Sequence, residues 1–123
     1  MRVATWNVNS VRTRAERIAA FLERTDIDVL CMQETKVADA KFPYATFEAA
    51  GYEVAHVGTN QWNGVAIASR VGLEDVREEF ARQPSFSKSG DPVREARAVG
   101  ATCGGVDIWS LYVPNGRDIG DPH

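Results

Sequence analysis

Two cysteines in 123 residues are too few for a disulfide framework, and Cys31 and Cys103 stand far apart, with no CxxC pair and no nearby histidine pair. No zinc site is indicated, and each thiol sits in an apolar run that reads as buried. Long hydrophobic runs are lacking too. Charged or polar residues interrupt every apolar stretch well short of the roughly 20 residues a spanning helix needs, so no membrane association is expected. The start lacks the apolar core that follows the basic region of an export signal, so a cytoplasmic location is the expectation. Excess positive charge is missing as well: 14 Lys and Arg against 17 Asp and Glu leave a net charge of −3. Such a chain does not hold polyanions by bulk electrostatics alone. Histidine is scarce, and both His56, in a predicted strand, and His123, at the terminus, read as structural. No internal repeat and no low-complexity tract interrupts what remains.

What is present is an ordinary globular composition, 44% hydrophobic and 25% charged, at a length that suits one domain. Val3 to Asn7 alternates apolar and polar side chains and predicts a strand. A helix follows: Thr13 and Glu16 have capping-box spacing, and Ala15, Ile18, Ala19 and Leu22 recur at helical period, widened by Phe21, to an end near Thr25. Arg2, Arg12, Arg14, Arg17 and Arg24 outweigh Glu16 and Glu23 in this stretch, which by itself describes a solvated helix face. Residues 28–33 form a nearly continuous apolar run, expected of a strand covered on both faces, and deliver Glu34 to its carboxyl end. A right-handed crossover makes the two strands parallel, so Asn7 and Glu34 emerge from the same sheet edge.

Pro43 suits the first turn of a short helix through Ala50, with Gly51 at its C′ position. Residues 52–57, 64–69 and part of 71–80 have strand character, with 58–63 as an exposed connection bearing Trp62. Residues 82–92 read as a loop. Residues 94–103 and 106–113 flank Gly104-Gly105, a pair that suits a two-residue hairpin turn.

A carboxylate and an amide at adjacent strand ends of an α/β domain lie where ligand sites form. The competing reading of Glu34 is an exposed strand end with a local ion pair to Lys36. Trp62, flanked by Gln61 and Asn63, gains little from exposure unless it covers a core edge or binds something. Tyr112 ends a strand just before Pro114-Asn115-Gly116-Arg117, where its hydroxyl reaches a site or merely bridges core and solvent.

Five strings in order, Thr5-Trp6-Asn7-Val8-Asn9-Ser10-Val11-Arg12, Asp28 through Gln33-Glu34-Thr35-Lys36, Asn63-Gly64-Val65-Ala66, Glu95-Ala96-Arg97 and Leu111-Tyr112-Val113-Pro114-Asn115-Gly116-Arg117, resemble exodeoxyribonuclease III and its abasic-site endonuclease relatives. The resemblance implies a divalent-metal phosphodiesterase acting on double-stranded DNA at abasic sites or 3′ ends. Its fold is a four-layered α/β sandwich with mixed sheets. Residues 1–123 would form the N-terminal half of that sandwich, a single partial domain. Glu34 would be the metal ligand for Mg²⁺ or Mn²⁺, with Asn7 orienting it or touching the metal's water shell. Asn9 sits on the same rim, where some relatives carry aspartate. Tyr112 would contact the scissile phosphate. Arg12, Trp62, Asn115 and Arg117 would hold the DNA backbone, with Lys36 as a further contact, and Arg97 is assigned to an ion pair with Glu95.

The family's later Gly-Asp-Phe-Asn, Arg-Ile-Asp and Ser-Asp-His segments do not occur, so inactivity of this chain alone is the expectation. One sheet is then expected to expose an apolar face, to be covered by a C-terminal half or by self-association. The other readings are a phosphatase or different nuclease of the same superfamily, and a non-catalytic nucleic-acid-binding fragment.

Overall fold

Every residue from Val29 to Met32 is buried, and the side chains divide by parity between two cores: Leu30 and Met32 to one, Val29 and Cys31 to the other. That division follows from the period of two along a strand, and it makes this segment the centre of the molecule. The computed structural model describes residues 1–58, 63–78 and 98–112. In chain order they form β1 (Val3–Asn7), α1 (Val11–Arg24), β2 (Val29–Gln33), a 3₁₀ turn at Asp39–Lys41, α2 (Tyr44–Ala49), β3 (Glu53–Val57), β4 (Val65–Ser69), β5 (Glu74–Arg77), β6 (Ala98–Cys103) and β7 (Val106–Leu111).

The first sheet has the order β1-β2-β4-β3 and is mixed. β1 and β2 are parallel, with Asn7 opposite Gln33, and β4 runs antiparallel to both β2 and β3. The second sheet, β5-β6-β7, is antiparallel throughout its described strands. Gly104 and Gly105 join β6 to β7 with φ of +56° and +84°, the positive pair that a type I′ turn demands.

On one face of the first sheet, Leu30, Met32, Ala66 and Ala68 meet Val11, Ile18 and Leu22 of α1 and Phe47 of α2. On the other, Val29, Cys31, Val65 and Ile67 meet Val99, Ala101, Cys103 and Ile108 of the second sheet. The expectation of a bare apolar sheet face is thus corrected: the chain brings its own second sheet to cover it. Among the described residues, the large apolar side chains left exposed lie at margins, such as Val3 on edge strand β1, Val76 on edge strand β5 and Val106 and Leu111 on β7. Three of the four expected layers, helices, sheet and sheet, stand among the described residues.

Three local expectations change. α1 begins at Val11 rather than at a Thr13 capping box, and Ser10 at its N-cap makes no side-chain cap. Instead Ser10 N–H donates to Glu34 O at 2.8 Å and Val11 N–H to Thr35 O at 3.0 Å, so the chain leaving β2 satisfies donors that a capping side chain would otherwise take. Thr13 lies inside the first turn, its hydroxyl donating to Ser10 O. Pro43 occupies the N-cap of α2 rather than its first turn, whereas Gly51 has the positive φ of +90° expected after the helix. β5 shrinks to four residues, because its pairing with β6 shifts register between Glu74 and Arg77 and Asp75 takes φ +51°.

Candidate active site

Six described non-glycine residues have positive φ, and five of them, Asn9, Ser10, Glu34, Lys36 and Asn63, gather at one edge of the first sheet. Side chains resist this conformation, at about 1–3 kcal/mol each, and such strain persists only where the surroundings over-determine it. Here the determinants are backbone hydrogen bonds. Val8 N–H donates to Gln33 O, Thr35 N–H to Gly64 O and Lys36 N–H to Asn63 O, at 2.9, 3.2 and 2.8 Å. Together with the Ser10 and Val11 bonds they lace the ends of β1, β2 and β4 into one rim. Gly64, at φ +95°, is required there, since a Cβ would stand 2.0 Å from Thr35 Oγ1.

Glu34 occupies the middle of this rim, half-buried, immediately beyond β2. Among the described residues no side chain bonds or pairs with its carboxylate. The ion pair to Lys36 is not formed: Lys36 Nζ donates to Asn9 Oδ1 at 2.6 Å. Asn7 is exposed at the end of β1, and its Oδ1 accepts from Asn9 N–H at 3.2 Å, which folds the turn back over the strand end. Arg12 is exposed in the first turn of α1, next to the Val11 clamp.

The second sheet reaches the same rim through β7. Ser110 Oγ donates to Met32 O at 2.9 Å, and Gln33 Nε2 donates to Ser110 Oγ at 3.2 Å and to Thr5 Oγ1 at 2.9 Å. Tyr112, two residues past Ser110, is therefore carried to the end where Glu34 stands two residues past Met32. It is half-buried against the second core. The structure thus assembles Asn7, Glu34, Arg12 and Tyr112 at one end of the sandwich. Trp62, Asn115 and Arg117, and with them Arg97, Glu95 and the 82–92 loop, lie outside the described residues.

Beneath Glu34 is a feature that sequence reasoning treated as plain core. Thr35, fully buried, shares a 2.7 Å hydrogen bond with His56 Nε2, and His56 Nδ1 lies 2.8 Å from Asp39 Oδ1, close enough for an ion pair but out of line for a hydrogen bond. Burial holds the imidazole below its ordinary pKa, against the opposing pull of Asp39. Gly58, expected in an exposed connection, is buried here, and its N–H donates to Asp39 Oδ1 at 2.9 Å. No motif spacing signals this set, because its members come from three separate segments.

The rim fits a hard divalent cation, by the chemistry of its donors. Glu34 and Asn7 offer only oxygen as ligand atoms, and Mg²⁺ is commonly held by one or two carboxylates, its other positions filled by water and substrate phosphate. Among the described residues no cluster of three His, Cys, Asp or Glu forms a closed cage.

A two-sheet sandwich whose strand ends carry a carboxylate, unpaired among the described residues, defines the class: an α/β domain offering an oxygen ligand at its sheet edge. The sequence matches the Endonuclease/Exonuclease/phosphatase family over residues 4–117, and the chain belongs to that family. It is 36% identical over 80 residues to exodeoxyribonuclease III of Haemophilus influenzae, covering 65% of this chain and 30% of that protein. An AP endonuclease from Archaeoglobus fulgidus is 42% identical with a TM-score of 0.77, over 93% of this chain and 42% of the other. A 3′ phosphatase from Neisseria, solved with product DNA hairpin, is 33% identical with a TM-score of 0.82, over 99% and 45%. The chain spans less than half the length of each of these relatives.

Proposed function

We propose that this chain supplies the metal-ligand half of a divalent-metal-dependent DNA phosphodiesterase of the exodeoxyribonuclease III type, acting in the cytoplasm on double-stranded DNA at abasic sites or 3′ ends. The observation that carries the reading is the Glu34 carboxylate, unpaired among the described residues and held on a strained rim beside Asn7, Arg12 and Tyr112. A bound Mg²⁺ or Mn²⁺ would neutralise phosphate charge and stabilise the leaving oxygen. Glu34 would hold it, and Asn7, whose amide adds donors and an acceptor without charge, would orient the carboxylate or its water shell. The Tyr112 hydroxyl donates to the scissile phosphate, and Arg12 grips a backbone phosphate with its fork of N–H groups. Trp62, Asn115 and Arg117 are assigned to DNA backbone contacts, which position a duplex without reading its bases. Relatives that act on abasic sites and on 3′ ends support the substrate class.

The test is Mg²⁺-dependent cleavage of a duplex carrying one abasic-site analogue, by this chain alone and with the C-terminal half of a relative added. Activity is expected only on complementation, and Glu34→Ala should remove it. Cleavage by the complemented pair that survives Glu34→Ala overturns the reading. A second reading, release of a 3′-terminal phosphate, is favoured by the Neisseria phosphatase and is separated by a 3′-phosphorylated duplex without an abasic site.

A further inference from the structure

Thr35, His56 and Asp39 stand in the order of a nucleophile, a base and its orienting acid, with contacts of 2.7 and 2.8 Å. Nucleophilic chemistry is excluded by access: Thr35 and the His56 side chain are 0% exposed, so no substrate reaches either. The set has a different use. Glu34 and Lys36, on either side of Thr35, take φ of +55° and +54°, so the peptide carrying the carboxylate turns left-handed twice within three residues. Glu34 has no side-chain partner among the described residues to fix it, and the one buried side-chain bond in this tripeptide is that from Thr35 to His56.

We infer that Thr35, His56 and Asp39 form a positioning relay that fixes Glu34 for its metal, an inference that rests on the metal-ligand role proposed above. The negative charge of Asp39, 2.8 Å from Nδ1 although out of line for a hydrogen bond, electrostatically favours the tautomer with its proton there, which leaves Nε2 to accept from the Thr35 hydroxyl. Asp39 is itself held by Gly58, through N–H donation to its carboxylate and by its own N–H to Gly58 O at 3.0 Å. Phe42 closes the ring's face, with centroids 4.5 Å apart. Gly58 has to be glycine for this packing, because a Cβ would lie 2.1 Å from Val37 O and 2.5 Å from His56 Cε1. The chain of contacts thus runs from the half-exposed Asp39 on the 3₁₀ turn, through His56 on β3, to Thr35 and the backbone of Glu34 just past β2.

The probe is Mn²⁺, and the readout is paramagnetic broadening of backbone amide signals at Asn7 and Glu34 as Mn²⁺ is titrated into the whole chain. Thr35→Val keeps the shape and deletes the hydroxyl; it is expected to raise the half-saturating Mn²⁺ concentration about 10-fold or more, in the range typical of lost outer-shell support. Thr35→Ser restores it to within about twofold. Asp39→Asn changes a surface carboxylate, leaves the core intact and is expected to weaken Mn²⁺ several-fold with the thermal midpoint unmoved. Unchanged Mn²⁺ response in Asp39→Asn and in folded Thr35→Val, while Glu34→Gln abolishes it, overturns the relay and spares the metal site. Broadening that persists in Glu34→Gln overturns the metal reading and the relay with it.

Discussion

The two ends of the first sheet are built from the same strands and manage charge in opposite ways. At the end where β2 begins, Arg70 reaches Asp26 at 2.5 Å and Asp28 at 2.9 Å, and Asp28 also accepts from Arg2 N–H at 2.8 Å. Asp26 and Asp28 share that cation, and the pairing pulls the Asp28 carboxyl below its usual range, first through the Arg2 N–H and then through Arg70. At the end where β2 finishes, the chain turns left-handed at five non-glycine residues, and the carboxylate in their midst is left unpaired among the described residues. Paired acids and relaxed backbone mark the end that holds the fold. An unpaired acid on strained, over-determined backbone marks the end that has work to do.

Two glycines break this comparison most sharply, because Gly64 and Gly72 share a positive φ, +95° and +106°, but not their surroundings. Gly64→Ala drives a methyl into Thr35 Oγ1 and combines backbone strain with overpacking, an expected loss of about 2–5 kcal/mol in urea denaturation. Gly72→Ala meets nothing within 4 Å and carries only the strain, about 1–2 kcal/mol. Equal losses would remove the claim that the site end is the tightly determined one. Next in size is Ser110→Ala, which strips Met32 O of a donor and Gln33 of an acceptor; about 1–3 kcal/mol is expected by the same measurement.

A pH scan sharpens the contrast further. His56 has a folded-state pKa depressed from about 6.5, so the unfolded chain binds its proton more readily. Its contribution is complete above about pH 6.5 and is lost as pH falls below that value through the lower folded-state pKa, a loss that thermal midpoints taken downward from about pH 7.5 should record and His56→Gln should flatten. Asp28, also lowered, behaves in the same sense but in a more acidic window: its contribution is present at neutral pH and lost only below about pH 4. The smallest effect belongs to Asp28→Asn, whose exposed pairs should cost little and cost less still in high salt.

Much of the framework was legible before any coordinates. The alternation of β1 and the unbroken apolar run of β2 placed Asn7 and Glu34 on one edge, and the register with Asn7 opposite Gln33 agrees. The Gly104-Gly105 turn was equally open to reading, because few sequences tolerate two successive positive φ values. The start of α1 was not, since its cap is made by carbonyls of Glu34 and Thr35, over 20 residues away, rather than by the Thr13 hydroxyl nearby. Strand pattern announced β6 and β7 but carried no information about which face they would cover. His56 looked like core, which it is. Its bond to Thr35 depends on β3 and β2 being brought together through β4, a tertiary fact with no local trace.

Stacked sheets have no backbone hydrogen bonds between them and are free, in principle, to slide. Here a polar cross-brace resists the slide, with Gln33 tied to Thr5 and Ser110 and Ser110 tied to Met32 O. That brace works as a spacer gauge between a carboxylate on one sheet and a phenol on the other. Whoever wishes to widen or narrow the gap between Glu34 and Tyr112 should begin with Gln33 and Ser110, which set the spacing from beneath the rim.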